Sequence, residues 1–154
     1  MFSKVLLSTI ISCTIAAPIA PTAEEVKSQL LSAGVSESTA NQLLEITKSH
    51  GVSLDIAQKS GNVIDIIVEI AKLSGDIDAY IATQSDSDQA GYKLYTERVK
   101  AEETKNQLLA AGVSESTVIQ LGKTQEDKDA YMATQSESDQ AGYKLYKERA
   151  FQKQ

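Results

Sequence analysis

From Thr22 onward, apolar residues recur three and four apart, the spacing of one helix face. Thr22 and Glu25 have capping-box spacing, in which each side chain satisfies a free backbone N–H of the first turn. Val26, Leu30, Leu31 and Ala33 then form a stripe that Gly34 is expected to end, because glycine enters the left-handed turn without strain. Gly34-Val35-Ser36, Gly51-Val52-Ser53 and Gly112-Val113-Ser114 each read as stop, apolar staple and new N-cap. They predict helical hairpins joined by short turns. A second helix is expected from about Ser38 to His50, with Ala40, Leu43, Leu44 and Ile46 inward, and a separate short turn of helix over Leu54 to Ser60.

Val63 to Leu73 is the most apolar segment after the leader, and its Val and Ile content alone would suit a strand. The polar positions decide for a helix: Asn62, Asp65, Glu69, Lys72 and Asp76 lie three or four apart, on one helix face. This segment is expected to be the central buried helix. Asp76 to Thr83 reads as a further short helix carrying Ile77, Tyr80 and Ile81. Ser85 and Asp88 make another capping-type start. Tyr92, Tyr95 and Val99 then share a face, and no glycine or proline follows until Gly112, so one helix is expected from about Asp86 to Ala111. The fold class is all-α, a small helical bundle.

Part of the chain occurs twice. DAYIATQSDSDQAGYKLYTER (Asp78 to Arg98) returns as DAYMATQSESDQAGYKLYKER (Asp129 to Arg149), identical at eighteen of twenty-one positions and holding all six tyrosines. SQLLSAGVSEST (Ser28 to Thr39) returns as NQLLAAGVSEST (Asn106 to Thr117). The second pair is offset by 78 residues and the first by 51, so the later copy is 27 residues shorter. The loss removes the end of the second helix, the His50 linker and the central apolar helix. This reads as tandem duplication with a truncation. Residues 23–100 form the complete repeat and 101–154 the shortened one. The inward face of the shortened copy is expected to need cover from the first copy or from another chain, and a homodimer through it is one expectation.

Composition narrows the function. With 42% hydrophobic and 23% charged residues over 154, the chain suits one soluble domain with a modest core. A net charge of −6 and no long basic run disfavour nucleic acid and anionic membranes as partners. Lys4 followed by the apolar run Val5 to Ala17 reads as a secretory signal peptide, too short to span a bilayer, with cleavage expected after Ala16. Residues 1–16 are then the signal peptide and 17–22 an extended leader. A competing reading makes Cys13 the lipid-bearing cysteine of a bacterial lipoprotein. Cleavage removes Cys13, the sole cysteine, and leaves a secreted, disulfide-free chain with no transmembrane segment.

Chemistry-bearing residues are few. Asp86, Asp88, Gly91 and Glu97 fall at positions 1, 3, 6 and 12 of a calcium loop, and Glu137, Asp139 and Glu148 repeat the acidic ones. Ala90 at position 5 and Lys93 at position 8 do not suit such a loop. A helix N-terminus capped by Ser85, with acidic residues in its first turn, explains the same pattern. No cofactor is required, and Ca or Mg is the candidate cation. Tyr80, Tyr92 and Tyr95, with Tyr131, Tyr143 and Tyr146, are candidate pocket residues for a small hydrophobic ligand, or core residues with their hydroxyls toward water. His50 is the only histidine and is expected to cap a helix end beside Gly51. No phosphate loop, zinc spacing or dinucleotide fingerprint occurs, so the chain is not read as an enzyme.

The apolar leader, the acidic helical body and the DAYIATQSDSDQAGYKLYTER module together resemble the small secreted nematode proteins of the SXP/RAL antigen group. That resemblance spans roughly Ala23 to Lys100 and, truncated, Ala101 to Gln154. It implies a helical, cation-binding-like domain, with Asp86, Asp88 and Glu97 as ligands, in a secreted, host-exposed, non-enzymatic protein. The expected function is therefore an antigen-like binding or interaction protein with a protein partner. The alternative is a carrier of fatty acid or another small lipid between amphipathic helices.

Overall fold

A computed structural model describes residues 21–123 and 127–151. Among the described residues every regular element is a helix: α1 (Ala23–Ser32), α2 (Glu37–Ser60), α3 (Val63–Ala82), α4 (Asp86–Ala110), α5 (Glu115–Lys123), α6 (Lys128–Met132) and α7 (Glu137–Phe151). The fold is an all-α small helical bundle. The expected signal peptide and Cys13 lie outside the described residues. The chain divides into two compact units, the first ending at Arg98 and the second beginning at Val99, so the boundary falls inside α4.

In the first unit, α1 opens on the capping box. The Thr22 N–H donates to Glu25 Oε2 at 2.7 Å, and the Glu25 N–H donates to Thr22 Oγ1 at 3.2 Å. It closes on a Schellman turn: the Val35 N–H reaches the Leu30 carbonyl and the Gly34 N–H that of Leu31, with Gly34 at φ 94°. Ser36 then caps α2.

Four expectations fail along α2 and α3. Helix α2 does not stop at Gly51 but runs through it to Ser60, and the left-handed stop falls on Gly61 at φ 69°. Glycine inside a helix costs only about 1 kcal/mol relative to alanine. The buried residues Leu54 and Ala57 beyond it carry on the face that packs against α3. His50 is therefore mid-helix rather than a C-cap, with Nε2 2.8 Å from Asp76 Oδ2 on α3. The expected short helix from Asp76 merges with the apolar segment before it into α3. Nor is that segment centrally buried. Ile70, Leu73 and Ile77 face the core, while Val63, Ile64 and Ile67 are 66%, 70% and 59% exposed.

The second unit repeats the Schellman turn, with the Val113 N–H on the Leu108 carbonyl and Gly112 at φ 92°. Among its described residues there is no counterpart of the α2–α3 hairpin. Its shortened sequence nonetheless closes a small core of its own, from Leu108, Val113 and Val118 with Leu109, Tyr143 and Tyr146 against them. Two of the three substitutions within the tyrosine module fit this change. Met132, at the place of Ile81, is buried, and a flexible thioether fills irregular space well. Lys147, at the place of Thr96, lies 5.6 Å over the Tyr143 ring and 2.9 Å from Asp129.

Candidate functional site

The two sequences that the duplication preserves meet in space. Asp88, in the first turn of α4, turns its buried carboxylate onto the N-terminus of α2. The Ser36 N–H donates to Oδ1 at 2.5 Å. Oδ2 accepts from the hydroxyls of Ser36 at 3.0 Å, Thr39 at 3.1 Å and Ser85 at 3.1 Å. The Ser85 hydroxyl in turn accepts from the Asp88 N–H, capping α4. One carboxylate thus joins two helix starts. In the second unit Asp139 does the same with the Ser114 N–H and the hydroxyls of Ser114, Thr117 and Ser136.

The Ser36 N–H is the largest influence on Asp88 and lowers its pKa below the ordinary carboxyl value. Burial pushes the other way, and the hydroxyls of Ser36, Thr39 and Ser85 add to the lowering. Asp139 is lowered in the same manner, first by the Ser114 N–H.

A glycine sets the approach distance. A Cβ on Gly91 would stand 2.8 Å from the Gly34 carbonyl carbon and the Val35 nitrogen. One on Gly142 would stand 2.8 Å from the Ala111 carbonyl oxygen. The α4 and α7 helices therefore lie directly on the Schellman turns, with the aspartate one turn earlier on the next N-cap. Sequence reasoning found Ser36 and Asp88 separately and missed their pairing, the part of Thr39 and Thr117 in it, and the packing role of Gly91, which it placed in a calcium loop, and of Gly142. The signal was present in what survived the truncation: the contact spans 52 residues in one copy and 25 in the other.

This geometry decides the acidic candidates. Asp86 to Glu97 is helix throughout, so the turn that a calcium loop needs is not formed. Asp86 and Glu97, eleven residues apart, are separated by about 16 Å along the axis. Asp88 already accepts one hydrogen bond on Oδ1 and three on Oδ2, so its charge is met largely within the fold. Glu137, Asp139 and Glu148 stand in the same relation on α7. Among the described residues no group of three or more His, Cys, Asp or Glu side chains is placed to hold a metal ion.

The tyrosines divide between the units. Tyr92 and Tyr95 are buried side by side, ring centres 6.2 Å apart, and Tyr80 is half-buried. Burial, then the charge of Asp78, raises the pKa of Tyr92, and its hydroxyl has no hydrogen-bond partner. Burial raises that of Tyr95 as well. These two side chains build core, not a pocket. Tyr131, Tyr143 and Tyr146 are half-buried. Tyr143 borders an open groove of about 630 Å³ with Asp129, Met132, Gln140 and Lys147. Desolvation, then the Asp129 carboxylate beside its hydroxyl, pushes its pKa up to about 12. Asp129 is held low, chiefly by the Lys147 ammonium. The groove is open rather than enclosed, unlike the deep cavity that buries most of an acyl chain.

No helix among the described residues is long and apolar enough to cross a membrane. Neither the curated proteins nor the solved structures contain a match to this chain. A family model matches residues 20–100, which run from the start of α1 through the α2–α3 hairpin and into α4. The chain belongs to the family described as a domain of unknown function, DUF4473.

Proposed function

We propose that this is a secreted, non-enzymatic helical binding protein, antigen-like in the sense that its resemblance to the SXP/RAL group implies, and that it acts by docking an apolar helix onto a protein partner. One observation carries the reading. Ile64, Ile67 and Val68 are 70%, 59% and 44% exposed on the outer side of α3, where isolated Val or Ile would need no comment but a run at helical spacing does. A cation finds no cluster of carboxylates here, because Asp88 and Asp139 are engaged by hydrogen bonds within the fold and no group of three ligating side chains forms among the described residues. The fatty-acid carrier is second, since the groove beside Tyr143 is open and would leave much of an acyl chain in water.

A photo-crosslinking residue at Ile67, in the chain as its own cells release it, tests the proposal. Adducts to protein through α3 are expected. Adducts to lipid alone, or none, would refute it.

A further inference from the structure

The partner of the α3 face can be read from its own residues. At 100° per residue, Ile64, Ile67, Val68, Ala71 and Gly75 share an arc about 100° wide, roughly opposite the arc of Ile70, Leu73 and Ile77 that faces the core. All five are exposed. Their spacing of three, four and seven is that of a helix seam. Along the chain the seam runs from bulky to small: branched residues at 64, 67 and 68, then Ala71, then Gly75.

A seam graded in this way complements itself when reversed. In an antiparallel pair centred between Glu69 and Ile70, Ile64 lies opposite Gly75 of the other chain and Val68 opposite Ala71. Each branched side chain then enters the space left by a missing one, and the helices can approach at the near end of the usual 8–10 Å range. A Cβ added at Gly75 meets nothing within 4 Å in the isolated chain, so the space is there to be filled.

The charges agree. Asp65 and Lys72 both border the same edge of the seam. Reversal brings Asp65 of each chain beside Lys72 of the other, whereas a parallel pair would turn these edges to opposite sides of the seam and leave both charges without that partner. Lys72 already lies 2.6 Å from Glu69, which steadies it at that edge.

We infer that the outer face of α3 is a two-fold interface between two copies of this chain, with the α3 helices antiparallel and crossing near Glu69 and Ile70. This rests on the reading of α3 as a docking face and names its occupant. The pairing is isologous, so it closes at two chains. The shortened copy has no such helix and cannot extend it. A seam about 16 Å long from Ile64 to Gly75 is too short to bury the roughly 1,000 Å² of a stable specific interface, so the dimer is a weak one that dissociates on dilution.

Sedimentation of the full chain over about 1 to 200 μM tests this, with the 16.6 kDa chain expected to shift toward twice its mass. Ile67→Glu is expected to stay monomeric with an unchanged circular dichroism spectrum. For register, Ile64→Cys and Gly75→Cys are made separately with Cys13→Ser. Mixed together under mild oxidation they are expected to form disulfide dimers at least tenfold faster than either alone. A wild-type chain monomeric at 200 μM, a dimer untouched by Ile67→Glu, or Ile64→Cys linking to itself as fast as the mixture would each overturn the inference. A monomer whose α3 crosslinks a different protein would leave the docking function standing and remove only the second copy.

Discussion

Replacing Asp88 by Ala removes one acceptor from four donors at once. The hydroxyls have recourse. Thr39 Oγ1 also lies 3.3 Å from Gln84 Oε1, and Ser36 Oγ lies 3.1 Å from Thr39 Oγ1. The Ser36 N–H has no intrahelical partner at the start of α2, and because Ser36 is exposed water is its only replacement. A hydrogen bond to a charged group is worth about 1.5–3 kcal/mol. Asp88→Ala is therefore expected to cost about 2–3 kcal/mol. Asp88→Asn keeps Oδ1 for the backbone but turns an amide toward three hydroxyls, and is expected to cost about 1–2 kcal/mol. Urea unfolding at neutral pH, followed by circular dichroism, gives both numbers. The acid limb gives an independent check. A carboxyl held below its ordinary 3.8 contributes stability that is complete above that value and is lost as pH falls through it toward the folded value. Asn has no such group, so the gap between wild type and Asp88→Asn is expected to close below about pH 4. A cost no larger than that of the exposed control Asp86→Ala, or a gap that ignores pH, would refute the reasoning.

Gly91→Ala is expected to destabilise the first unit by about 2–3 kcal/mol, since its new methyl meets backbone at 2.8 Å; a thermal melt like that of wild type would show that the turn yields. Gly51→Ala goes the other way, stabilising by about 1 kcal/mol in the same melt, because the site is mid-helix and open. Tyr92→Phe removes an unbonded buried hydroxyl and is expected to be neutral or stabilising by up to about 1 kcal/mol. A clear loss on urea unfolding would mean that the hydroxyl has a partner after all.

What the sequence disclosed was what neighbours in the chain decide. Thr22 with Glu25, and Ser36 after Gly34, are complete signals within four residues, and both caps form. Gly51-Val52-Ser53 shows where local reading ends. It is the same tripeptide as at Gly34 and Gly112, yet it is helix. The difference lies far away: Gly91 and Gly142 back onto the other two turns, and no described glycine backs onto this one. Long-range contact selects among locally equivalent turns, and a single sequence does not print it. The same limit hid the role of Asp88, whose partner is 52 residues off. It also hid the outer face of α3, since Ile64 and Ile70 look alike until one knows which way each points.

The doubled Asp–Ser latch does not depend on what lies between its two halves. It closes around a long helical excursion in one place and around a short connection in the other. The excursion is thus a detachable insert: its ends are pinned by a contact made outside it. Moving the 27 residues by which the first copy is longer into the corresponding place in the second should yield a chain with two such arms. Shortening the first copy to match should yield one with neither, both still folded.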